Sequence, residues 1–232
     1  MPYQIAEARH AEYLEFAGRR PELFGPPDAA VKILLDPADI RAVEAEAAAN
    51  LRRRGLPESG AEIGIVSHDP YMWVVRDAVE FPDGARRPHM RLVSRLGNNG
   101  AATLALLDDQ IVLTRQFRHA LRRWSLEIPR GAIEPGQTPA QAAAAELNEE
   151  VGGTAHELVE LGFMNGSTNL YATGTHLFFA RLKHVGAPQI SEAITSVEQV
   201  TVAEFERMVL TGEITDSYTV GAFAHARLRR LV

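Results

Sequence analysis

Glu146, Glu149 and Glu150 stand close together in the segment GAIEPGQTPAQAAAAELNEEVGG, Gly131 to Gly153. What they can do depends on the backbone beneath them. Thr138 has the chemistry of an N-cap, Pro139 suits the first helical position, Gln141 completes a capping box and Gly152 can end the helix. The spacing predicts a helix over 139–151. On such a helix the three glutamates are related by i, i+3 and i+4, so their side chains leave from one face. Three like charges repel unless a cation sits among them, and hard carboxylate oxygens suit magnesium, manganese or calcium. A glutamate-rich helix is more often a plain solvated face, so the flanking segments decide between the two.

Those flanks carry a resemblance. The segment resembles the Nudix box, G-x5-E-x7-R-E-U-x-E-E-x-G-U with U apolar, and Gly131, Glu146, Leu147, Glu149, Glu150 and Gly152 fall on its positions. Gln137 stands where the family has glutamate, Ala145 where it has arginine, and Gly153 replaces the last apolar residue. Upstream, IVLTRQFR and SLEIPRG are similar to the R-Q-x-R and L-E-x-P segments of the ADP-ribose pyrophosphatase branch.

The resemblance implies a nucleoside-diphosphate substrate, with ADP-ribose split to AMP and ribose 5-phosphate, and Mg2+ or Mn2+ as cofactor. It implies that Glu127, Glu146, Glu149, Glu150 and the carbonyl of Arg130 hold the metal. Arg118 and Arg115 would face the phosphates or the terminal ribose. The base that activates water lies on a loop after the box, where Glu192 is the first candidate and Glu198 the second, with Glu149 also counted among the catalytic carboxylates. Relatives pair through strands preceding the box, which implies a homodimer formed by Tyr71 to Arg95 and makes Arg76 a contributor to the partner's adenosine pocket. The losses at Gln137 and Ala145 support an alternative, a weak Nudix domain serving as a nucleotide sensor or interaction module. A third reading makes the fold a scaffold for partners that dock on the N-terminal helices.

The elements that must position these residues change character along the chain. Tyr3 to Ala17 and Pro37 to Arg54 have helical spacing and are rich in alanine and glutamate, with Asp36 as N-cap and Gly55 as terminator of the second helix. Strand-like runs follow at 71–81, 89–95, 101–107, 110–117, 125–128, 158–163, 176–182 and 197–202. Asp108-Asp109 reads as a tight hairpin, and two helices close the chain at about 203–210 and 216–231. Strands and helices mix without strict alternation, which predicts an α+β fold, an α/β/α sandwich with a mixed sheet. The expected organisation is a helical N-terminal extension over 1–60 and a Nudix domain over 61–232.

Bulk properties exclude several classes. The 232 residues are 46% hydrophobic and 23% charged, a composition that folds rather than stays disordered. A formal net charge of −6 argues against a general nucleic-acid or anionic-lipid surface. The absence of cysteine removes thiolate chemistry and Cys-ligated zinc. No apolar run approaches the roughly 20 residues of a membrane span and no secretory signal is visible, so a cytoplasmic protein is expected.

Overall fold

A computed structural model describes residues 2–95, 97, 99–189 and 193–232, with side chains described from residue 6 onward. The chain forms two compact units, one of residues 1–97 with 167–172, the other of residues 98–166 with 173–232.

The first unit contains α1 (Pro2–Arg19), β1 (Lys32–Ile33), α2 (Pro37–Arg53), β2 (Gly64–His68), β3 (Met72–Glu80) and β4 (Arg86–Ser94). Asp36 caps α2 by accepting from the N–H groups of Ala38 and Asp39, and Gly55 leaves the helix end at positive φ. β3 pairs antiparallel with β1, β2 and β4. Tyr13 and Phe16 of α1, Ile40 and Val43 of α2, and Ile65, Val75, Ala78 and Val93 of the strands share one core. The helices thus bury their apolar faces on the strands that follow them, because neither helix has a partner layer of its own. Asp77 is buried in that core and is satisfied by the Tyr13 hydroxyl at 2.6 Å and the Arg91 guanidinium at 2.7 Å.

The second unit contains β5 (Gly100–Leu107), β6 (Gln110–Arg118), β7 (Arg123–Glu127), β8 (Arg130–Ala132), α3 (Pro139–Val151), β9 (Ala155–Met164), β10 (Thr175–Leu182), β11 (Ile194–Val200), α4 (Val202–Leu210) and α5 (Ser217–Leu228). Among the described residues it holds a mixed seven-stranded sheet, parallel where β10 meets β5 and antiparallel in its other pairings.

The period of two along β5 divides its side chains between two helical layers. Ala102, Leu104 and Leu106 join Phe205 and Met208 of α4 and Ala222 and Ala226 of α5. Ala101 and Ala105 turn the other way, toward Ala142, Ala143, Leu147 and Val151 of α3. The predicted α/β/α sandwich is therefore present in this unit. Sequence periodicity missed β1, β2 and β8, which are short or carry few strand-forming residues.

Candidate active site

The site begins where two strands part. Asp108 and Asp109 both have positive φ, and this tight turn joins β5 to β6. The two strands pair over only three positions, from Leu107↔Gln110 to Ala105↔Val112. Beyond that β7 takes the place beside β6 and β8 the place beside β5, with Ile128 and Pro129 crossing between them. The Pro129 carbonyl accepts from the Thr103 N–H at 2.9 Å, and the Ile128 N–H donates to the Thr219 hydroxyl at 3.1 Å. This crossing delivers Glu127 and Arg130 to the same place.

Glu127 is 2% exposed and lies between two guanidinium groups. Arg118 donates through Nε at 3.1 and 3.0 Å to the two carboxylate oxygens and also through Nη2. Arg130 donates to Oε2 through Nε at 3.1 Å and Nη2 at 2.7 Å. Burial alone would raise the Glu127 carboxyl, but the hydrogen bonds from Arg118 and the nearby charge of Arg130 outweigh it and hold its pKa at about 2. Burial also disfavours the charge on Arg130, and Asp216 together with Glu127 more than offsets this.

The predicted helix is present with its ends as read. Thr138 accepts from the Gln141 N–H, Gln141 reaches back to the Thr138 N–H, and Gly152 closes α3 in the left-handed conformation. Of its carboxylates, Glu150 is buried and accepts from the Arg130 N–H at 3.0 Å. Glu146 packs against Gly131, where a Cβ would overlap its carboxylate. The box glycine thus leaves the room in which the Glu146 carboxylate sits. Glu149 is half-buried, and its main-chain carbonyl accepts from the Gln189 N–H at 2.8 Å, tying the loop after β10 to the end of α3.

Gln137 closes the loop before α3, its side chain accepting from the Glu134 N–H at 3.1 Å. Ala145 is half-buried and brings no polar group to the site.

The other sequence candidates lie elsewhere. In β6, Arg115 and Arg118 are three positions apart with continuous register against β7, so they leave opposite faces. Thr114, Arg118 and Glu127 share one face. Arg115 shares the other with Leu126, and its partner there is Glu198 of β11 at 3.8 Å. Arg115 and Glu198 are therefore not brought together with Arg118 and Glu127. Arg76 belongs to the first unit and donates to the carbonyls of Ser59 at 3.0 Å and Glu62 at 2.8 Å. Glu192 lies outside the described residues.

Reasoning from sequence assigned Arg130 only a carbonyl and overlooked Asp216. The structure shows the Arg130 guanidinium reaching Asp216 at 3.3 Å and lying over the Tyr218 ring at 5.4 Å. The signal was the Asp-Ser-Tyr-Thr start of the last helix, which marks a capped N-terminus without saying where it points.

For a metal, the donors available are hard oxygens of the kind that magnesium and manganese take. Among the described residues no three acidic or histidine side chains are yet gathered around one point. The chemistry of the set fits, and the lack of a side chain at Gly131 leaves room for the Glu146 carboxylate beside the main chain of β8.

The class to which this sandwich and its capped glutamate helix belong is shown by comparison with known proteins. The NUDIX domain family matches residues 97–219, more than half of the chain, and the chain belongs to that family. It is a Nudix pyrophosphohydrolase by its domain and its relatives. The ADP-ribose pyrophosphatase of Bacillus subtilis (strain 168) is 30% identical over 155 residues, 65% of this chain and 82% of the relative. The ADP compounds hydrolase NudE of Escherichia coli (strain K12) is 29% identical over 104 residues, covering 44% and 55%. The methanol dehydrogenase activator of Bacillus methanolicus is 27% identical over 156 residues, covering 66% and 83%. A crystal structure of an ADP compounds hydrolase shares the fold, with TM-score 0.62 and 20% identity over 70% of this chain and 88% of that one. No helix among the described residues is long and apolar enough to cross a membrane.

Proposed function

We propose that the protein hydrolyses the pyrophosphate of ADP-ribose to AMP and ribose 5-phosphate with the help of Mg2+ or Mn2+. The observation that carries this reading is the convergence of Glu146, Glu150 and the Arg130 main chain at the β8–α3 contact, a few residues from the buried Glu127. The relatives named for ADP-ribose and ADP compounds support the substrate class.

Glu146, Glu149, Glu150, Glu127 and the Arg130 carbonyl would hold the metal. When bound, it supplies neutralisation of the pyrophosphate charge and acidification of water. Arg118, now paired with Glu127, is placed to turn its guanidinium to a phosphate oxygen once that carboxylate is otherwise engaged. A base takes one proton as water attacks phosphorus, and the P–O bond to the leaving phosphate breaks. Glu192 is the candidate for that base by the resemblance alone; Glu198 points to the other sheet face and is engaged by Arg115.

The same reading makes the protein a cytoplasmic homodimer without nucleic-acid partners. For the homodimer the support is exposed apolar surface, Met90 on β4 and Tyr71 just before β3, with the edge of β4 away from β3 bridged, among the described residues, only at Leu92, by residues 170–172. Arg76 would then serve the partner's adenosine pocket.

Measuring kcat/KM for AMP release across ADP-ribose, diadenosine diphosphate compounds and nucleotide sugars with Mg2+ tests the substrate. ADP-ribose is expected to lead by at least tenfold; a nucleotide sugar in first place would overturn that choice. Nucleotide binding without turnover would favour the sensor reading.

A further inference from the structure

Asp216 is the N-cap of α5, and its two oxygens do different work. Oδ2 accepts from the Thr219 N–H at 2.9 Å and from the Thr219 hydroxyl at 2.8 Å. That same hydroxyl accepts from the Ile128 N–H at 3.1 Å, so the cap is linked to the crossing between β7 and β8. Oδ1 is left for the Arg130 guanidinium at 3.3 Å. The side chains of Asp216 and Arg130 are 11% and 27% exposed, and that of Glu127 is 2% exposed, so this chain of charges is largely screened from water.

Arg130 is thereby shared between two carboxylates, whereas Arg118 is spent on Glu127. The consequence is electrostatic. The guanidinium divides its donors between Glu127, at 3.1 and 2.7 Å, and Asp216, at 3.3 Å, with its carbon 5.4 Å from the Tyr218 ring centre. A cation arriving at Glu127 must displace or outbid the arginines there, and the one with a second anion to retreat to opposes it less.

We propose that Asp216 is a positioning residue for the metal site: by anchoring Arg130 from the start of α5 it keeps Glu127 available as a ligand. The inference rests on the metal-dependent reading given above. It assigns a role to a residue outside the box and outside its flanking motifs, 66 positions beyond Glu150. The Arg130 side chain becomes the messenger between α5 and the carboxylate.

Asp216→Asn separates this role from helix capping. The amide oxygen can take the place of Oδ2, keeping the contacts to Thr219, and asparagine is as good an N-cap as aspartate. The amide NH2 then faces Arg130 and cannot accept from it. Arg130 falls back wholly on Glu127. Calorimetric titration of Mn2+ into the full-length protein without substrate is expected to show about tenfold weaker binding in Asp216→Asn, as losses around a metal site typically do. In the double variant Asp216→Asn with Arg130→Gln the competitor that Asp216 holds is gone while Arg118 is unchanged, and affinity is expected within about twofold of Arg130→Gln alone. A capping defect would not be relieved in this way, and circular dichroism checks that the fold is intact. Unchanged Mn2+ affinity in Asp216→Asn, or a loss that Arg130→Gln fails to relieve, overturns the inference while wild-type binding stands. Failure of the wild type to bind Mn2+ overturns the metal-dependent reading itself, and the inference with it.

Discussion

Glu150 and Glu127 are both buried carboxylates, yet they are satisfied in opposite ways. Glu150 takes a main-chain N–H, and Glu127 takes two guanidinium groups. Replacing Glu150 by glutamine removes charge but keeps an acceptor, so the Arg130 N–H stays paired and the fold is expected to remain intact. Turnover is expected to fall by several orders of magnitude, measured as the AMP release rate at saturating Mg2+. For Glu127 the consequence concerns pH. Its folded-state pKa of about 2 lies below the ordinary value of 4.5, so its contribution is complete above about pH 4.5 and is lost as pH falls towards 2. Urea denaturation of the metal-free protein should show the wild type losing up to about 3 kcal/mol more than Glu127→Gln between pH 6 and pH 2.5. Parallel losses in the two proteins would remove the ion-pair account.

The helix that carries the box was legible residue by residue, because caps and turn-formers act locally: Thr138, Pro139, Gln141 and Gly152 each do what their types favour. Gly131 was legible as a motif position, but its reason is a contact between elements. Its Cβ position is filled by the Glu146 carboxylate, the far end of a flexible chain. Gly131→Ala is therefore expected to fold with a change in stability within about 1 kcal/mol, since such a chain can move aside. Activity should fall at least tenfold as Glu146 is displaced, and wild-type kcat in a folded Gly131→Ala protein would show that Glu146 does not act from there. What the sequence hid is also a matter of contacts. Arg115 and Arg118 look alike in R-Q-F-R, and they face apart because β6 continues through Arg118, one residue beyond the run read from sequence, in unbroken register with β7. Asp216 and Arg130 are 86 residues apart, and no local signal links them.

At the scale of the whole molecule, the α/β/α layering of the second unit follows from mixed strands and helices with alternating apolar faces, and it was readable as such. The first unit was less readable. Its helices looked like an extension because their alanine-rich faces give weak periodicity, while β1 and β2 are too short to announce the sheet those helices cover. That sheet exposes Met90 on β4, and pairing of two copies there is the expected use. Light scattering at micromolar concentration should give twice the chain mass, and a monomer would remove the shared-pocket role of Arg76. The central claim is hydrolysis at the β8–α3 site, and product analysis of ADP-ribose incubated with Mg2+ or Mn2+ tests it most directly. The account predicts AMP and ribose 5-phosphate in equal amounts from the wild type and almost none from Glu150→Gln. It is contradicted by a wild type that forms neither product with any divalent metal, or by a folded Glu150→Gln protein that works at the wild-type rate.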